Sequence, residues 1–206
     1  MKVFKRMLHF SMRTKDRALF RCYRILAKII CWKAGGDLKW HRTARATVPV
    51  RIDGCGRVTI GAQVKLGYRP APRLGRGEIL LQARRPEANI DIGSRTAASN
   101  NVSIVAMRSV SIGTDCLLGD LVAIYDCDFH AVDARNRRKS PGKIEPVRIG
   151  NNVWLGSRVI VLKGVTIGSD TVVAAGSVVT QTLPSGVVAG GVPAKVLKPV
   201  PVSNDQ

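Results

Sequence analysis

The sequence predicts an all-β chain wound as a parallel β-helix, and three observations carry that prediction. An aliphatic leader returns every six residues at Ile149, Leu155, Val161, Ile167, Val173 and Val179. A second apolar or small position, at Val153, Val159, Val165 and Thr171, follows each leader by four. Glycine or asparagine clusters directly behind the leaders, as in Ile149-Gly150-Asn151 and Ile167-Gly168. A helix would repeat its apolar residues at three and four, and a lone strand would alternate at two. A six-residue period instead marks coils in which each six is a short flat strand plus a turn, and three sixes close a triangle. Leaders then point inward and stack, so neighbouring coils supply one another's core. Gly and Asn suit the corners, where positive φ is expected.

The same phase runs backwards through Ile112-Gly113, Leu118-Gly119 and Ile124, then Ile92-Gly93, Ala98 and Ile104, then Ile60-Gly61 and Leu66-Gly67. Two breaks interrupt this early part. The step from Ile104 to Ile112 is eight, which implies a two-residue bulge. Residues 68–85 do not scan, and Pro70, Pro72, Gly75 and Gly77 suggest an irregular excursion. After Ile124 the register fails again until Ile149, across a polar, basic stretch, 131–148, read as a loop thrown out of the coil. Loops of that length in compact domains are functional or disordered.

Ahead of the coils stands a different unit, so the chain divides into a basic helical segment 1–40, a β-helix domain 41–198 and a tail 199–206. Of the formal net charge of +19, residues 1–51 carry +12, from 14 Lys or Arg against Asp16 and Asp37. Arg17, Arg21, Arg24 and Lys28 fall on one helix face, and Leu19, Tyr23, Leu26 and Ile30 on the other. Such a helix either lies on an anionic membrane surface or packs its apolar stripe on the first coils or a sister subunit. Lys28 interrupts the best apolar run, so neither a spanning helix nor a cleaved signal is expected, and a cytoplasmic location follows. Five cysteines, Cys22, Cys31, Cys55, Cys116 and Cys127, are odd in number and lack CxxC spacing, which argues against a disulfide framework or a structural zinc site. Cys127 reads as a small buried apolar residue rather than a nucleophile.

Histidine is scarce, which singles out His130. Only His9, His41 and His130 occur, and the third stands where the regular coil stops. If the chain stays extended there, Asp126, Asp128 and His130 face one side. A carboxylate beside an imidazole fixes its tautomer and raises its basicity, as a general base for a hydroxyl nucleophile requires.

These residues carry a family resemblance. The segment 126–198 resembles the bacterial hexapeptide-repeat O-acetyltransferases, left-handed parallel β-helices that include the galactoside, maltose and polysaccharide O-acetyltransferases. The matching elements are Asp126-x-Asp128-x-His130, Ile149-Gly-Asn-Asn-Val-Trp154-Leu-Gly-Ser157, Gly164-Val-Thr-Ile-Gly168, Ala174-Ala-Gly-Ser-Val-Val-Thr180 and Val188-Ala-Gly-Gly-Val-Pro-Ala-Lys195-Val-Leu-Lys198. The resemblance is strong over about the last 80 residues, moderate over 92–124 and weak before that. It implies a homotrimer with active sites between neighbouring coils and the extruded loop of one subunit reaching over its neighbour. His130, oriented by an Asp such as Asp128, would take the proton from a sugar hydroxyl that attacks acetyl-CoA directly, with backbone N–H groups stabilising the oxyanion. Trp154 would wall the pocket, and Ser157 and Ala175 would line the pantetheine track. Thr180, Lys195 and Lys198 would meet the polyanionic nucleotide end.

Two departures from the family pattern bear on the acceptor, and a third on the CoA end, which the lysines should still hold. The family's acceptor-binding Asn aligns with Ser99, so Asn100 or Asn101 is expected to replace it; no carboxylate stands near Ala106 or Met107; and Gln181 replaces a basic residue. The leading expectation is an acetyl-CoA-dependent O-acetyltransferase of surface-polysaccharide assembly, acting on a sugar, nucleotide-sugar or lipid-linked glycan without a metal. N-acetylation of an amino-sugar nucleotide is the enzymatic alternative, and a non-enzymatic basic scaffold the other. Carbonic anhydrase chemistry needs three zinc-bound histidines, and the coil region offers His130 alone. Three Tyr, three Trp and four Phe supply no aromatic platform for nucleic acid.

Overall fold

Inward leaders stacked at a six-residue period produce a triangular prism of three parallel sheets, wound in the left-handed sense. The computed structural model of the chain describes residues 2–72 and 74–201, and in the N-terminal helix it describes side chains from Ala18 onward. The side chains of His9 and Arg17, and residues 202–206 of the expected tail, lie outside the described residues.

One turn of the chain visits the sheets in order. Sheet A holds β1 (Asp37–Trp40), β4 (Arg57–Ile60), β7 (Asn89–Ile92), β10 (Ser109–Ile112), β13 (Val147–Ile149) and β16 (Thr166–Ile167). Sheet B holds β2 (Arg45–Ala46), β5 (Lys65–Leu66), β8 (Ala97–Ala98), β11 (Leu117–Leu118), β14 (Trp154–Leu155), β17 (Val172–Val173), β19 (Val187–Gly191) and β20 (Ala194–Pro199). Sheet C holds β3 (Val50–Asp53), β6 (Ile79–Ala83), β9 (Ser103–Ala106), β12 (Ala123–Tyr125), β15 (Ile160–Val161) and β18 (Val178–Val179). Leaders stack in register, Ile60 on Ile92, Ile112, Ile149 and Ile167 in sheet A, and all are buried. The companion positions Val153, Val159 and Val165 are buried as well, so both apolar positions of each six face the core. Thr171 is tolerated there because its hydroxyl donates to the Pro184 carbonyl at 2.8 Å.

Apart from Gly67, at φ +87°, the glycines behind the leaders have a different cause from the one the sequence suggests. Gly150 and Gly156 do not have positive φ; a Cβ on either would stand 2.6 Å from the backbone nitrogen of the next coil, at Ser169 and Ala175. Close stacking of coils, not chain reversal, demands them. The left-handed residue comes two places later, at Gln63, Arg95, Asp115, Asn152 and Asp170 on the edge between sheets A and B and at Leu121 and Arg158 between sheets B and C. Polar and charged side chains bond up and down the edge between sheets A and B: Asn152 Nδ2 donates to Asp170 at 2.8 Å, and Arg95 grips Asp115 through two 2.6 Å bonds. That guanidinium holds the Asp115 carboxyl below its usual range.

Three boundaries also differ from the sequence reading. The coil begins at Asp37, within the segment assigned to the helix, because β1 pairs with β4. The non-scanning stretch 68–85 contains β6, whose Ile79, Leu81 and Ala83 are buried and whose Leu81 stacks between Ile52 and Ile104. The antiparallel β20 runs to Pro199 and closes the last coil against β19.

The N-terminal helix α1 (Lys2–Lys33) contacts β1, β2 and β3, the first strand of each sheet, and so lies across the open end of the prism. Ala27 and Cys31 are buried against that end, with Tyr23 partly so. The predicted apolar face is therefore only partly right: Leu26 is half exposed, and a second apolar stripe on the outer side escaped the sequence reading.

Candidate active site

The coil is broken between Tyr125 and Val147, and the break is an ordered hairpin. Residues 126–131 run back against 140–145: Asp128 N–H donates to Lys143 O (3.1 Å), Ala131 N–H to Ser140 O (3.0 Å) and Glu145 N–H to Asp126 O (2.9 Å). Gly164 N–H donates to Glu145 O at 3.0 Å and pins the hairpin base to the next coil. Gly142 has φ +73°, and a Cβ there would collide with the His130 carbonyl oxygen and stand 2.8 Å from Asp128 Cβ. The return strand thus passes directly against the His130 backbone.

The two carboxylates expected beside His130 are spent elsewhere. Asp126 is fully buried and accepts the N–H groups of Met107, Arg108 and Ser109, each at 2.7 Å. It is the clasp of the two-residue bulge between Ile104 and Ile112. Asp128 pairs with Lys163 Nζ at 2.6 Å and accepts Lys143 N–H at 3.3 Å. The expected role of Asp128 as orienter of His130 is corrected accordingly: the imidazole Nδ1 lies 3.2 Å from the backbone carbonyl of Arg137. A carbonyl only accepts, so this bond places a proton on Nδ1 and, in the neutral imidazole, leaves the lone pair on Nε2. Phe129, at φ +63°, anchors this geometry from behind, packed edge-on to Tyr125 (5.5 Å between centroids) and capped by the Arg84 guanidinium at 4.8 Å. Sequence reasoning missed Lys163, Arg84 and the Arg137 carbonyl. The Ile124 to Val161 register held a signal for the first of them, because it carries Lys163 to the rung beside Asp126.

Of the residues expected to meet the donor, all but Thr180 stand on sheet B or on its edge with sheet C. Trp154 faces outward from β14, 53% exposed. Ser157 and Ala175 are exposed at successive coils of the edge between sheets B and C, and Gly176 N–H donates to Ser157 O at 2.9 Å. Lys195 and Lys198 are exposed on β20. His130 and Thr180, by contrast, lie on the edge between sheets C and A. The width of sheet C separates the two groups within one chain.

Asn100 needs correction as an acceptor-binding residue. It is fully buried, accepts Tyr68 N–H at 2.9 Å and donates to the carbonyls of Tyr68, Ala71 and Pro72, so it bolts the excursion to the coil. Asn101 is half-buried at φ +60° and donates to Pro72 O at 3.2 Å. A trough of about 230 Å³ opens beside them instead, lined by Lys65, Tyr68, Ala97, Ser99, Leu117 and Trp154 among others. Among the described residues no cluster of His, Cys, Asp and Glu could hold a metal. Cys127 is buried, and burial pushes its thiol up, away from thiolate chemistry.

Residues 146–181 match the family described as bacterial transferase hexapeptide (six repeats). The chain carries the hexapeptide transferase repeat. It is 40% identical over 113 residues, 55% of each chain, to the galactoside O-acetyltransferase of Escherichia coli K12. A hexapeptide-repeat acetyltransferase of Vibrio cholerae, solved with acetyl coenzyme A, is 35% identical over 55% of this chain and 61% of that one, with a TM-score of 0.52. The polySia-specific acetyltransferase NeuO is 26% identical and superimposes over 83% of this chain and 75% of its own, with a TM-score of 0.66. The chain spans about half the length of the curated relatives it matches. The repeat segment holds Trp154, Ser157, Ala175 and Thr180, and His130 stands just ahead of it.

Proposed function

We propose that this chain transfers the acetyl group of acetyl-CoA to a sugar hydroxyl of a surface glycan or its nucleotide- or lipid-linked precursor, at the cytoplasmic side of the membrane, as a homotrimer. The observation that carries the reading is the His130 imidazole, fixed through Nδ1 by the Arg137 carbonyl in the hairpin that interrupts the coil between Tyr125 and Val147. The relatives named as galactoside and polySia acetyltransferases support the acceptor class. The acetyl-CoA bound by the Vibrio relative supports the donor.

His130 Nε2 takes the hydroxyl proton while the sugar oxygen attacks the thioester carbonyl carbon. The C–S bond breaks as the tetrahedral intermediate collapses, and the departing CoA sulfur takes the proton back from the imidazolium, so no acyl-enzyme is required. The chain's residues fit the donor: Ser157 and Ala175 leave the B/C edge low enough for a pantetheine arm, and Lys195 with Lys198 supply positive charge for a polyanion. Because this track and His130 lie on opposite edges of sheet C, a complete site needs the track of one subunit and the hairpin of the next. Trimerisation is thereby part of the chemistry.

The test is labelled acetyl-CoA with a panel of galactosides, nucleotide sugars and lipid-linked glycans. His130→Ala is expected to lower kcat/KM about 10²- to 10⁴-fold with CoA binding retained. Undiminished turnover overturns the assignment. Release of the label from product by mild base identifies an ester; a base-stable amide would favour the amino-sugar N-acetyltransferase reading.

A further inference from the structure

We propose that the outer face of α1 is a docking surface for an anionic lipid bilayer. Ala18, Cys22, Ile25, Ile29 and Trp32 recur at steps of four and three, which gathers them into one stripe along the helix. All five are exposed, Ile25 at 56%, Ile29 at 45% and Trp32 at 76%. The opposite side of the helix already serves the fold, since Ala27, Cys31 and Tyr23 pack on the prism end. The outer stripe therefore owes nothing to the stability of the coil. Because α1 touches the first strand of all three sheets, the stripe points out along the prism axis, away from the lateral faces through which prisms would associate.

Charge decides what covers the stripe. Arg21 and Lys28 border it on one side and Lys33 on the other, all exposed, and residues 18–36 contain no Asp or Glu. Two copies paired through this stripe would set these cations against each other with no acidic partner, the reverse of what a helix pair needs. An anionic bilayer offers the matching pattern: acyl chains for the aliphatic residues, the headgroup level for Trp32, and negative charge for the cations. Among the described residues no helix is long and apolar enough to cross a membrane, so the mode is in-plane binding. This surface stands independently of acetyl transfer and would bring the active site to a lipid-linked acceptor if that reading holds.

The experiment is co-sedimentation of the full chain with vesicles of phosphatidylcholine, with or without phosphatidylglycerol, alongside solution mass and thermal melting. The wild type is expected to bind the anionic vesicles and to release at high salt. Replacing the stripe (Ile25→Ser, Ile29→Ser, Trp32→Ser) or its cations (Arg21→Gln, Lys28→Gln, Lys33→Gln) is expected to weaken binding about tenfold or more with mass and melting unchanged. Equal binding by the stripe variant, no binding by the wild type, or a fall in oligomer mass on replacing the stripe overturns the proposal. The last outcome would make the face a contact between copies of the chain. None of these readouts depends on turnover, so they separate this proposal from the assignment of the reaction.

Discussion

Asp126 and Asp128 sit two residues apart and do different work, which mutagenesis should separate. Asp126→Ala would take the shared acceptor from three part-buried N–H groups at once. At about 1–3 kcal/mol for each unsatisfied group, partly relieved by relaxation, we expect a loss of about 3–5 kcal/mol, read as a lower urea midpoint. Asp128→Asn breaks a pair whose side chains keep only about a fifth of their exposure, so about 1 kcal/mol is expected, with the effect on turnover exceeding that on stability because the hairpin carries His130. Equal losses for the two variants would refute the division of roles. Cys127→Ala should leave turnover within about twofold, since a buried neutral thiol offers no nucleophile. His130 was legible in the sequence because the register fails beside it. Its partner was not, because an extended chain was assumed where a hairpin forms, and a backbone carbonyl leaves no mark in a sequence.

Glycines behind the leaders and glycines at left-handed corners are distinguishable by the cost of a methyl group. In Gly150→Ala the new Cβ meets the Ser169 backbone, which cannot move without shifting the next coil; overpacking of that kind costs about 1–3 kcal/mol. Gly176 has φ +72° and no neighbour within 4 Å of a Cβ, so Gly176→Ala carries only the backbone term, about 1 kcal/mol. Chemical denaturation of the two variants should rank them in that order; the reverse ranking would mean that chain reversal, not coil stacking, selects these residues. The strands themselves were legible wherever the period of six persisted. The strand β6 was not, because insertions on both sides, 67–78 and 84–88, erase its phase while Leu81 still stacks in register. The helix was legible as amphipathic, but its second stripe was hidden, since apolar residues on two sides lower the contrast that reveals either one.

At the scale of the whole molecule, the separation of His130 from Ser157 by the width of sheet C makes a prediction about subunit mixing. If one chain held a complete site, a subunit lacking the imidazole and a subunit with an obstructed donor track would both stay inactive when mixed. If the site is shared, a His130→Ala subunit can lend its intact track to the intact hairpin of a Ser157→Trp neighbour. In closed rings assembled at random from equal amounts of the two, about a quarter of the interfaces should pair an intact hairpin with an intact track. Activity after co-refolding should therefore rise from near zero to about a quarter of the wild-type level, while simple mixing without subunit exchange gives none. A mixture that stays inactive while mass measurement confirms mixed oligomers would place both halves of the site on one chain and require sheet C to be spanned by some other means. The hairpin makes the shared arrangement physically reasonable: it projects beyond the prism, its base is fixed by the Glu145 carbonyl to Gly164, and its imidazole is aimed by its own backbone. Each subunit can then present a rigid base to its neighbour without any change in its own core.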